Sequence, residues 1–130
     1  MTEEYDFSGV WRSTYHKVDG KQRTPETDQY VTLQRIGNQL VLESIHGASE
    51  SYLIARFTLD GRIVTGSYQS QNSPHNEAKG ALYYGAAQLV MDEDGKALRG
   101  KGVGFAKDMS VKVTEWEIVR VGQSRDDIEK

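Results

Sequence analysis

What most limits the folds open to this chain is its punctuation. Short runs of alternating apolar and polar residues are cut repeatedly by glycine turns, and no long stretch carries a clean 3.6-residue apolar period. Asp60-Gly61 is the strongest hairpin signal, and Gly37-Asn38 and Asp92-Glu93-Asp94-Gly95 supply two more. His46-Gly47-Ala48-Ser49 and Ala106-Lys107-Asp108 read as further turns. Strands are predicted between them at 8–16, 30–36, 39–45, 51–59, 62–69, 81–91, 96–105 and 109–121. Two polar stretches, 17–28 with Pro25 and 70–79 with Pro74, read as long loops.

Eight strands joined mostly by tight turns predict an all-β fold, an eight-stranded up-and-down antiparallel β-barrel. A two-sheet sandwich is the competing architecture, and consecutive hairpins favour the meander. Closure also removes edge strands that carry little proline to protect them. An eight-stranded barrel is either just filled by side chains or able to hold one small ligand. Residues 1–122 then form a single domain and 123–130 a charged tail.

Composition narrows the partners. A net charge of -3 gives no electrostatic reason to expect nucleic acid. The chain has no cysteine, so thiolate chemistry and disulfides are excluded. The acidic start and the lack of any apolar run of membrane-spanning length predict a soluble, cytoplasmic protein without a membrane partner.

Gly9-Val10-Trp11 opens the first strand. The indole is expected to plug one end of the barrel, and the glycine to let backbone pass close beside it. Trp11, Ser13 and Tyr15 share one strand face, by alternation. Seven tyrosines are present, and Tyr15, Tyr68, Tyr83 and Tyr84 fall in strands. An inward tyrosine offers an apolar ring and a hydroxyl in need of a partner, which suits a ligand of mixed polarity. Strands favour tyrosine in any case, and adjacent Tyr83 and Tyr84 cannot both face inward. Arg35 shares a face with Val31 and Leu33, so an inward Arg35 is a buried cation that calls for an anionic partner. The expected ligand-binding set is Tyr15, Arg35, Tyr68, Tyr83, Tyr84, Gln88 and Trp116. Gly100, Gly102 and Gly104 lie on one face and either leave room for a ligand or relieve strand curvature.

No metal site is expected, because His16, His46 and His75 sit in separate segments without ligand spacing. Nucleophile elbows, phosphate loops and dinucleotide fingerprints are absent from the sequence, so neither catalytic residues nor a cofactor is assigned. The strand carboxylates Glu43, Glu115 and Glu117 read as outward and solvated.

The Gly9-Val10-Trp11 opening followed by this meander resembles the calycin group, the lipocalins and their relatives. In lipocalins a basic residue near the last strand packs across the tryptophan, and Arg120 stands where this chain would supply it. A longer similarity runs through Tyr30-Val31-Thr32-Leu33-Gln34-Arg35, Gly37-Asn38-Gln39-Leu40, 80–89, Gly104-Phe105-Ala106-Lys107-Asp108 and Thr114-Glu115-Trp116-Glu117. These stretches resemble the C-terminal domain of actinobacterial helix-turn-helix regulators of the XRE type. That resemblance implies a bacterial ligand-sensing barrel, here standing alone. It departs at Gly102, where the family pattern leads one to expect a bulky aromatic, and an inward glycine there would enlarge the cavity.

The expected function is therefore binding or sensing of a small hydrophobic, amphipathic or anionic molecule. The alternative is a protein-interaction module docking through 17–28 and 70–79. A dimer is compatible with either.

Overall fold

The computed structural model describes residues 6–19, 22–45, 52–71, 82–105 and 111–122, with side chains at all of these but 17–19, 22–28, 82 and 83. Eight strands follow one another: β1 (Val10–Asp19), β2 (Gln22–Ile36), β3 (Gln39–Ser44), β4 (Tyr52–Asp60), β5 (Ile63–Gln71), β6 (Leu82–Met91), β7 (Ala97–Phe105) and β8 (Val111–Gly122). Each pairs antiparallel with the next, and β8 pairs back onto β1 to close the barrel. This is an up-and-down meander with a lipocalin-like outline. Gly37, Gly61 and Gly95 sit at positive φ in three of the connecting turns, where an L side chain would be strained.

Alternation sorts the side chains. Leu40 and Leu42, then Leu53, Ala55 and Phe57, then Leu89 and Met91 point into the barrel and are buried. Their sequence neighbours, such as Gln39, Glu43, Arg56 and Val90, point out. Burying one face of every strand supplies most of the folding drive, at about 25 cal/mol per Å² of apolar surface.

The stretch 17–28, expected as a loop, is mostly strand. β1 continues to Asp19 and β2 begins at Gln22, with Lys17 opposite Thr24 and Asp19 opposite Gln22. Pro25 enters this ladder next to a bulge, where Tyr15 pairs with Thr27 but His16 already pairs with Pro25, and bulges are among the few places a strand tolerates proline. The polar composition that suggested a loop belongs to a strand pair. Likewise Ser70 and Gln71 extend β5. Residues 72–79, the Lys107-Asp108 turn, His46, His75 and the 123–130 tail lie outside the described residues.

Candidate binding site

One end of the barrel is shut by the N-terminal lead-in. Trp11 is fully buried, and its Nε1–H donates to the Phe7 carbonyl oxygen at 3.0 Å. The Phe7 ring packs against the indole with centroids 6.3 Å apart. Gly9 takes a φ of 96°, and a β-carbon there would collide with the Gly122 carbonyl oxygen. Arg120 is the cross-strand partner of Trp11. Its guanidinium lies against Gly9, reaches the Ser8 hydroxyl at 3.5 Å and stands 4.0 Å from the Asp6 carboxylate. Hydrogen bonds from the Ser8 hydroxyl and N–H, with the Arg120 charge behind them, hold the exposed Asp6 carboxyl below its usual range. Asp6, Ser8 and Arg120 thus form a clasp over the floor, and it weakens as acid protonates Asp6.

Above the floor the interior is aromatic. Trp116, on β8, stacks on Tyr15 of β1 with centroids 4.8 Å apart, and its Nε1–H donates to the Ser13 hydroxyl at 2.7 Å. Tyr68 meets Trp116 edge-on at 5.4 Å, and Phe57 closes the group at 5.7 Å. The half-buried Tyr68 ring fills the space left by two glycines: a β-carbon at Gly85 would strike the ring, and one at Gly104 would come within 2.6 Å of its hydroxyl. Gly102 also faces inward and is buried, and a β-carbon there would meet the Tyr68 ring and the Thr114 hydroxyl at ordinary contact distance. At this departure from the family pattern, Tyr68, Thr114 and the Ala86 carbonyl stand within contact of where a side chain would begin. Gly100 has a different role, because a β-carbon there would run into the Gln88 carbonyl on the neighbouring strand. Close approach of the β6 backbone explains Gly100, and the bed for Tyr68 explains Gly85 and Gly104.

Several polar atoms are buried inside the barrel as well. The Tyr15 and Thr114 hydroxyls are buried without a hydrogen-bond partner. Ser44 is buried too, but its hydroxyl accepts the Leu53 N–H at 3.0 Å. Gln29, opposite Ser13 in the ladder, is also buried. Burial, reinforced by the neighbouring Tyr68, pushes the Tyr15 phenol well above its ordinary range, so it stays protonated.

This brings together Tyr15, Tyr68 and Trp116 from the expected binding set and separates the others. Arg35 is exposed: although it shares the parity of Val31 and Leu33, it stands beside the hairpin, and its Nε donates to the Gly37 carbonyl at 2.9 Å. It is no buried cation, so Arg35 calls for no anionic ligand inside the barrel. Tyr84 is 55% exposed, and Gln88 lies on the outer surface bonded to the Thr65 hydroxyl. Both share the outward parity of Ala86 and Val90, whereas Ala87, Leu89 and Met91 point inward. Tyr83 pairs with Ser70 in the ladder, and its side chain lies outside the described ones. Gln29 and Thr114 were not anticipated. Extending the Val31–Leu33 parity backwards, and the Trp116 parity towards the start of β8, would have found both.

No protein-family model matches the chain, and no curated protein matches it. Among the described residues there is no cluster of three or more histidines or acidic groups able to hold a metal ion.

The orphaned phenol yields a prediction. Tyr15→Phe removes a buried hydroxyl that has no partner, so the variant is expected to be more stable by about 1 kcal/mol. The raised folded-state pKa means that ionising Tyr15 opposes the fold, so this group costs nothing through ionisation below its unfolded pKa of about 10 and lowers stability as pH climbs above it. Urea melts at neutral and alkaline pH check this: the variant's stability should fall less steeply above that pH. A loss of stability on Tyr15→Phe would show that the hydroxyl is satisfied after all.

Proposed function

We propose that the chain is a small-molecule-binding or sensing barrel that takes an amphipathic ligand against Tyr15, Tyr68, Trp116 and Thr114. The observation that carries this reading is the pair of buried, unpartnered hydroxyls beside a tyrosine ring bedded on glycines. A buried hydroxyl left without a partner costs roughly 1–3 kcal/mol, so a fold under no other demand would replace it with phenylalanine or valine. A ligand with an apolar body and an acceptor group satisfies the Tyr15 and Thr114 donors and stacks on the aromatic group. Tyr68 is the side chain that must turn aside, because its ring rests over Gly85 and Gly104 with no β-carbons beneath it.

The resemblance to the sensing domain of XRE-type regulators supports the same reading, and with it a bacterial, cytoplasmic setting. The ligand is amphipathic in this proposal, since Arg35 offers no inward charge.

Native mass spectrometry of the protein purified from its own host tests this. A retained small mass is expected for the wild type. The Tyr15→Phe/Thr114→Val variant should hold it at least roughly tenfold more weakly, as losing two ordinary hydrogen bonds implies. A wild type that carries nothing, or a mass indifferent to both substitutions, sinks the proposal.

A further inference from the structure

The outer face of β7 and β8 carries a pattern that the binding site does not use. Cross-strand pairs run along this seam in strict register: Arg99 opposite Glu117, then Lys101 opposite Glu115. Towards the other end of the barrel come Val103 opposite Val113 and Phe105 opposite Val111. The first two pairs set cations on β7 against carboxylates on β8. The last two are apolar, yet each of these four side chains is 43–60% exposed. Tyr84 extends the apolar area onto β6. Between the charged rows runs a groove of about 490 Å³ whose lining includes Gly100, which has no side chain, and Trp116, which is buried. Contiguous apolar surface next to ordered charge is characteristic of an interaction site.

We infer that this face is a homodimer interface in which β7 of one copy packs over β8 of a second. The charge pattern selects that occupant. Consider a two-fold axis lying in the contact plane, parallel to the strands and directly over the β7–β8 seam. Rotation about it exchanges the two strands laterally and leaves each level along the strand unchanged. Lys101 of one copy then faces Glu115 of the other, and Arg99 faces Glu117. Val103 meets Val113, and Phe105 meets Val111. Cation meets carboxylate and apolar meets apolar at each of these levels, so the surface is complementary to itself, as an isologous interface requires.

Two further features fit. The Arg99 Nη1 binds both oxygens of the Asp92 carboxylate, at 2.7 and 2.9 Å, while its Nε holds Glu117 at 2.7 Å. The charged end of the seam is therefore already ordered and loses little side-chain freedom on docking. The barrel's convex wall also confines contact to the strands nearest the axis. Such a face is at the small end of specific interfaces, and the dimer is expected to form with micromolar affinity.

Sedimentation of the full chain across a micromolar concentration series should show reversible dimerisation. Lys101→Glu sets a carboxylate against the second copy's Glu115 and should weaken the dimer at least roughly tenfold. Adding Glu115→Lys should restore it. Val113→Asp should weaken it as well, with the monomer's unfolding midpoint measured alongside to show that the fold persists. Because the chain has no cysteine, a sharper test is available. Val103→Cys and Val113→Cys chains mixed under oxidation should cross-link to each other faster than either does to itself. A monomer at every concentration, whether or not it binds phosphatidylcholine vesicles, overturns the inference. So does a dimer indifferent to Lys101→Glu, or one in which each single-cysteine chain links to itself as fast as to the other.

Discussion

Trp11→Ala is expected to cost about 3–5 kcal/mol of folding stability, as other truncations of large buried aromatic residues do. The indole is completely inaccessible to solvent, so its whole apolar surface returns to water on unfolding. A cavity remains in the folded variant because neighbouring strands tied by ladders cannot collapse into it. The Phe7 carbonyl also loses the Nε1–H donor at 3.0 Å, and the lead-in loses the ring on which Phe7 rests. Urea or thermal unfolding provides the measurement, and a melting temperature roughly 10–20 °C lower is the corresponding shift for a domain of this size. An unchanged midpoint would mean that Trp11 does not hold the barrel floor.

Gly100→Ala should be nearly as damaging, at about 3 kcal/mol, for a different reason. The new methyl group would run into the Gln88 carbonyl oxygen and stand 2.6 Å from the Leu89 α-carbon. Both are backbone atoms of β6, paired to this part of β7. A flexible side chain could swing away; a ladder strand must move as a whole, and overpacking of that kind costs about 1–3 kcal/mol or more. Gly102→Ala provides the internal control. It lies two residues along on the same inward face, but its β-carbon would sit 3.4–3.5 Å from the Thr114 hydroxyl, the Ala86 carbonyl and the Tyr68 ring. That substitution should change stability by under about 1 kcal/mol. Similar midpoints for the two variants in parallel urea melts would refute the close backbone approach at Gly100.

Much of the fold was legible because its signals are local. Gly37-Asn38, Asp60-Gly61 and the 92–95 turn mark hairpins by residue type alone, and the period-two runs between them fix which side chains share a face. That local logic breaks down where tertiary context decides. Residues 17–28 look like a loop because they are polar and contain proline, and only the bulge between Tyr15 and His16 explains how they join a ladder. Parity alone made Arg35 inward, but its position next to the hairpin leaves it exposed. Tyr84 and Gln88 failed in the opposite way, since the parity of Ala87, Leu89 and Met91 already assigned them outward. For the site, Tyr15 and Trp116 could be anticipated as aromatic inward residues. The lack of a partner for the Tyr15 hydroxyl, and the bedding of Tyr68 on glycines from two other strands, arise only from three-dimensional packing.

The order of the ladders also bears on how the protein assembles. Seven of the eight pairings join strands adjacent in the chain, and each of these can zip from its own turn. The eighth, β1 with β8, has no turn to start it and must bring together residues about a hundred positions apart, as the Trp116–Ser13 hydrogen bond does. Loop-closure entropy falls almost entirely on that one seam. The aromatic group of the candidate site straddles it, with Tyr15 on one side and Trp116 on the other. Closing that seam is also what brings Tyr15 and Trp116 together, so a barrel open between β1 and β8 would lack their stack.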